Sequence, residues 1–226
     1  MISASTFDQQ LDELRWELIA TAAHVSESVS AATRALLDRD EVMVARVRDA
    51  ASHVNAAVVA VDQRVFELLA LHTPMATDLR ALLAYLRMTQ EFELSSNLMM
   101  TVTKAAARLA HTELHPRIRG LIEQMGTQGG KQFRLAVDAF ADADVELAGT
   151  LASLDDEMDD LQKELFQAIF DTSTNNHAGI EVAVELALIG RYYERFADHA
   201  VQVGHWVEFI LTGSLPSPQK PLNPTG

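Results

Sequence analysis

Two pairs of acidic residues in the C-terminal half of the chain have a spacing that could do chemistry: Asp155 with Asp159, and Glu194 with Asp198. On an α-helix, residues four apart share one face and stand about 5 to 6 Å from each other. Like charges placed that way repel mildly unless a cation lies between them. If the helices that carry the two pairs pack with these faces together, four carboxylates converge, and hard oxygen donors in that number suit magnesium, calcium, manganese or ferric iron better than copper. The bland alternative for Asp155 and Asp159 is a solvated acidic face, since both lie in the run LDDEMDD. Glu194 and Asp198 are harder to assign to a surface. They lie in ERFADHA, where Phe196, Ala197 and Val201 leave little solvent-facing helix nearby, and acidic residues in such surroundings are seldom unpaired.

Other chemistries find no residues to carry them. There is no cysteine, which excludes a disulfide framework, a thiolate zinc site and a cysteine nucleophile. No glutamate has a histidine three residues later, as a ferritin-like di-iron site would need. The segment GTQGGKQF contains Gly130 and Lys131, but Met125 stands where a P-loop has its first glycine and Gln132 where it has Ser or Thr. HExxH, GxSxG and GxGxxG are absent. The eight histidines are scattered. His205, seven residues beyond Asp198, is about 10 Å further along a helix and too far to share an ion with it; His199 is adjacent to Asp198 and is at most an outer support.

The elements that must position the carboxylates are helices. Apolar residues recur at three- and four-residue spacing, as in Leu11, Leu14, Leu18, Val25, Val29, Ala32 and Leu36, the stripe of an amphipathic helix. Six helices are predicted, over Phe7 to Leu37, Glu41 to Leu71, Pro74 to His111, Arg117 to Phe140, Val145 to Asp171 and Ala178 to Thr212. Thr73-Pro74 reads as an N-cap with proline at the first helical position. Gly213 reads as a glycine stop, and SLPSPQKPLNPTG after it as a proline-rich, mobile tail.

The chain also repeats itself. Ala35 to Asp40, ALLDRD, matches Ala139 to Asp144, AFADAD, and the same offset pairs Ala51 with Asp155 and Asn55 with Asp159. The third helices align with an offset three residues shorter, which pairs Glu93 with Glu194 and Asn97 with Asp198. A shortened loop accounts for the difference. The predicted fold is therefore all-α, two tandem three-helix bundles divided near Thr112: residues 1–112, residues 113–213, and a tail over 214–226.

Composition narrows the functional classes. A hydrophobic share of 48% with 22% charged residues over 226 positions is that of a folded globular protein. No apolar run approaches the roughly 20 residues needed to cross a bilayer, and the N-terminus lacks the features of a signal peptide. A cytoplasmic protein is expected. The formal net charge of -14 opposes binding to nucleic acid or anionic lipid and favours cations or basic partner surfaces.

The repeat, together with LLALHTPMATDLR (Leu68 to Arg80), LDDEMDDL (Leu154 to Leu161) and ERFADHA (Glu194 to Ala200), resembles the PhoU family over nearly the whole chain except the tail. The resemblance implies a cytoplasmic, non-enzymatic adaptor that links the ATPase subunit of a phosphate ABC transporter to a sensor histidine kinase and restrains the phosphate-starvation response, with homodimerisation left open. It also implies an iron or zinc site, or one for another divalent cation, built from Asp/Glu-x-x-x-Asp motifs on paired helices. Those motifs are intact at Asp155 and Asp159 and at Glu194 and Asp198. The first repeat instead has Ala51, Asn55, Glu93 and Asn97, a single carboxylate where the family pattern has four. One metal site at most is therefore expected. The alternative from a different class is a carboxylate-bridged metal-dependent enzyme or metal-storage bundle.

Overall fold

The computed structural model describes residues 4–172 and 177–215, with side chains over 7–172 and 179–215. Its six helices are α1 (Ala4–Asp38), α2 (Glu41–Leu71), α3 (Ala76–Arg108), α4 (Pro116–Asp142), α5 (Val145–Thr172) and α6 (His177–Thr212). No strand occurs among the described residues, and no helix among them is long and apolar enough to cross a membrane.

The repeated ALLDRD and AFADAD motifs turn out to be a folding device. In each, a residue with positive φ ends one helix, Arg39 at 57° and Ala143 at 53°, and the aspartate after it opens the next. Asp40 accepts hydrogen bonds from the backbone N–H groups of Val42 (2.9 Å) and Met43 (3.3 Å). Asp144 does the same for Glu146 (2.9 Å) and Leu147 (3.0 Å). A left-handed residue followed by an aspartate cap reverses the chain in the fewest residues and satisfies the exposed amides of the new helix. The offset of the repeat is thus set by two identical turns.

Two other boundaries differ in detail from expectation. α3 does not begin at Pro74. Residues 72–75 lie outside the helices, Met75 occupies the N-cap position without a side-chain hydrogen bond, and Ala76, with φ of 49°, makes the turn into the helix. The proline-led start is found at α4, where Pro116 opens the helix and His115 Nδ1 accepts from the Arg117 N–H at 3.3 Å. Gly213, with φ of 81°, ends α6 as expected, and its N–H donates to the Phe209 carbonyl at 2.9 Å. Of the tail, all but Ser214 and Leu215 lies outside the described residues.

α1, α2 and α3 pack together, as do α4, α5 and α6, and the two bundles meet where α1 lies against α4 and α3 against α6. The division near Thr112 falls in the segment between α3 and α4. Both contacts are antiparallel. Along one seam the Arg15 guanidinium donates to the Ala141 carbonyl (2.8 Å) and Arg119 meets Asp38 (2.6 Å). Along the other, Arg80 Nε donates to the Ile210 carbonyl (3.2 Å) and Arg108 pairs with Glu185. The core runs through the seam. Phe133 on α4 lies between Phe92 on α3 (5.9 Å between ring centroids) and Phe196 on α6 (5.2 Å).

The glycine-rich run on α4 allows this approach. A Cβ on Gly126 would lie 2.3 Å from Thr33 Oγ1 of α1, so at this point only a residue without a side chain lets the helices close. The same run that superficially suggested a phosphate loop is a helix face shaped for contact. Gly126→Ala should destabilise the protein by about 1–3 kcal/mol through overpacking. Gly120→Ala, four residues from the start of the same helix and with nothing within 4 Å of its added carbon, should stabilise it by up to about 1 kcal/mol through helix propensity. Urea unfolding of the two variants checks the opposite signs.

Candidate functional site

Helical periodicity sorts the acidic run on α5. Asp156, Glu157 and Asp160 are exposed, so the solvated-face reading holds for them, while Asp155 and Asp159 are half-buried beside the fully buried Met158. On α6 the pattern is stronger. Glu194 is only 7% exposed, between the wholly buried Tyr193 and Phe196, and Asp198 is half-buried one turn on. α5 packs against α6, and this brings the two pairs within electrostatic reach of each other.

The consequence is a set of carboxylates that hold their protons unusually well. Burial pushes the Asp155 carboxyl from its ordinary value of 3.8 up to about 6, helped by the charges of Asp198, Asp159 and Asp156. Burial pushes Glu194 up to about 7, with Asp198, Asp159 and Asp155 acting in the same direction and Arg191 against it. Asp198 is also raised, again chiefly by burial, with Arg191 and His199 opposing. Arg191 pairs with Glu194 Oε1. That leaves Glu194 Oε2 buried with no hydrogen-bond partner, and Asp155 Oδ1 is in the same condition.

Spacing along a single helix does not reveal Gln132. It comes from α4, is wholly buried, and neither its amide oxygen nor its amide nitrogen finds a hydrogen-bond partner. It lies close enough to Asp155 to lower that proton affinity slightly, without hydrogen-bonding geometry. The signal in the sequence is that Gln128 and Gln132 interrupt the apolar stripe formed by Met125, Phe133 and Ala136. Arg191 was likewise not read from the sequence; the signal for it is its i−3 spacing to Glu194. His199 turns away from the cluster, and its Nδ1 meets Glu91 Oε2 of α3 at 2.6 Å.

Unpartnered buried carboxylate oxygens are costly, and a hard cation among them would remove both the repulsion and the missing contacts. In that sense the donor chemistry fits a metal. As the side chains stand, no group of three or more His, Asp or Glu residues among the described ones is arranged to hold an ion. The corresponding positions of the first repeat are different. Ala51 is buried, while Asn55, Glu93 and Asn97 all face solvent. No carboxylate cluster forms from them.

Fold and site together define an internally duplicated, all-helical bundle protein with a half-buried acidic cluster in its second repeat. The PhoU domain model matches residues 18–104 and again 122–207. The phosphate-specific transport system accessory protein PhoU homolog 2 of Mycobacterium tuberculosis is 32% identical, over 94% of this chain and 99% of that one. The crystal structure of PhoU from Pseudomonas aeruginosa superposes with a TM-score of 0.86 at 25% identity, covering 92% of this chain and 100% of that one. A phosphate transport system regulatory protein PhoU from Streptococcus pneumoniae shares the fold, with a TM-score of 0.84 at 24% identity over 94% of this chain and 100% of that one. The chain belongs to the PhoU family.

An acid that holds its proton more tightly folded than unfolded makes stability fall as pH rises between its two values. Asp155 and Glu194 do so from about 4 to about 7. In chelator-treated protein, an Asp155→Asn/Glu194→Gln variant should therefore gain in Tm on the wild type as pH rises through that window. A difference that does not change with pH would contradict the buried acidic cluster.

Proposed function

We propose that this protein is a non-enzymatic regulator of phosphate uptake and of the phosphate-starvation response. In this reading it acts on the cytoplasmic side as an adaptor between the ATPase subunit of a phosphate ABC transporter and a sensor histidine kinase. The observation that carries the reading is the match to both PhoU repeats across nearly the whole chain, together with relatives named as accessory proteins of a phosphate-specific transport system. The helical surface supports it as well. With no apolar membrane span among the described residues and a net charge of -14, contact with membrane machinery has to come through protein surfaces rather than lipid. Deleting the gene should raise expression of phosphate-starvation genes in phosphate-rich medium, measured by reporter fusion. Unchanged expression, in a strain with no second copy of the family, would remove the basis for the reading.

The same proposal includes one cation site in the second repeat, held by Asp155, Asp159, Glu194 and Asp198. Iron or zinc would supply positive charge there and tie α5 to α6, and the first repeat, with its exposed Asn55 and Asn97, would hold none. Asp198→Ala should lower the metal content of protein purified without a chelator much more than Asn97→Ala does, as read by elemental analysis. Equal losses would place the metal elsewhere.

A further inference from the structure

A cleft of about 570 Å³ opens between α1, α2 and α4, remote in sequence from the acidic face. Its lining runs against the charge of the rest of the molecule. Arg34 of α1, Arg46 of α2 and Arg134 of α4 all border it. Arg46 and Arg134 form no ion pair among the described residues, and Arg34 makes only a long contact of 3.8 Å to Asp40. The missing side chain at Gly130 gives Arg134 its room, for the guanidinium lies 3.3 Å from where a Cβ would stand, beside Val29 of α1. The buried hydroxyl residues Ser26 and Ser28 contribute to the wall.

We propose that this cleft binds a phosphorylated small molecule of nucleotide size, with the phosphoryl group held by Arg34, Arg46 and Arg134. Guanidinium groups match phosphate oxygens two at a time, and three of them against Glu27 and Asp49 leave the lining with a net positive formal charge in a chain whose net charge is -14. The volume falls in the range of small-molecule sites and leaves most of the space unfilled by inorganic phosphate alone. The remaining lining suits an organic portion. The rings of His24 and His53 border the cleft and stack on each other, 5.3 Å apart and 13° from parallel, so a base would extend this stack on an outer ring face rather than enter between the rings. Glu27 and Asp49 also line it. They accept hydrogen bonds from hydroxyl or amino groups and disfavour a bare anion. Because α1 and α2 belong to one bundle and α4 to the other, an occupant would bridge both repeats.

The test is calorimetric titration of the full chain with AMP, ATP, adenosine and inorganic phosphate, after chelator treatment so that no phosphate is held by bound metal. Saturable binding of AMP or ATP at least tenfold tighter than adenosine, and at least tenfold weaker in Arg46→Glu/Arg134→Glu, is the expected result. Inorganic phosphate should bind more weakly than AMP. Equal affinity of the two, lost in the same variant, overturns a ligand of nucleotide size and leaves only a free-phosphate site on the arginines. Both substituted side chains are exposed, and the single Arg46→Ala and Arg134→Ala variants repeat the comparison if the double one fails to fold. No saturable binding of any of the four probes, or binding undiminished by the substitutions, overturns the proposal.

Discussion

Tyr193 is wholly buried on α6, and its hydroxyl reaches Thr33 on α1 at 2.8 Å, across the seam between the two bundles. Leaving a buried hydroxyl without a partner costs about 1–3 kcal/mol, so this contact constrains where α6 and α1 can lie. Thr33 is itself tied to the Val29 carbonyl at 2.8 Å, and its side chain has room only because position 126 is glycine. The aromatic contacts of Phe133 with Phe92 and Phe196 then fill the space between α3, α4 and α6. With two antiparallel helix pairs closing one continuous core, neither bundle can shift without opening the other.

That shared seam explains how a duplicated chain supports an asymmetric site. Both repeats keep the same turn, a left-handed residue followed by an aspartate cap, and so keep the same helix order. Beyond the turns they have diverged. At the position where α5 turns Asp155 inward, α2 buries Ala51, which needs no counter-charge. The partner positions on α3, Glu93 and Asn97, face water, whereas Glu194 is enclosed by the packing of α6. Burying like charges together is unfavourable, and the raised proton affinities of Asp155, Glu194 and Asp198 record that cost. The second repeat thus gathers carboxylates at these positions, and the first does not.

The distribution of arginines follows the same economy of space. Most of those near the seam are committed to structure: Arg15, Arg80 and Arg119 donate to helix-end carbonyls of the opposite bundle. Arg191 is committed to Glu194. The cationic cleft between α1, α2 and α4 stands out because two of its three arginines have no such commitment.

Helix number and the repeat were legible in the sequence because they rest on local rules: a 3.6-residue apolar period, aspartate caps and a glycine stop. The inward placement of Asp155 and Asp159 within an acidic run was half legible, since periodicity separates them from Asp156, Glu157 and Asp160 but does not say which face is buried. The start of α3 was misjudged because proline is compatible with several backbone arrangements and the turn is made by a positive φ at Ala76, which no residue preference announces. Gln132 beside Asp155, the turning of His199 toward Glu91, and the gathering of Arg34, Arg46 and Arg134 were decided only by the tertiary structure. Each joins residues on different helices, dozens of positions apart, and such contacts depend on how helices rotate and cross when they share a core rather than on spacing within any one of them.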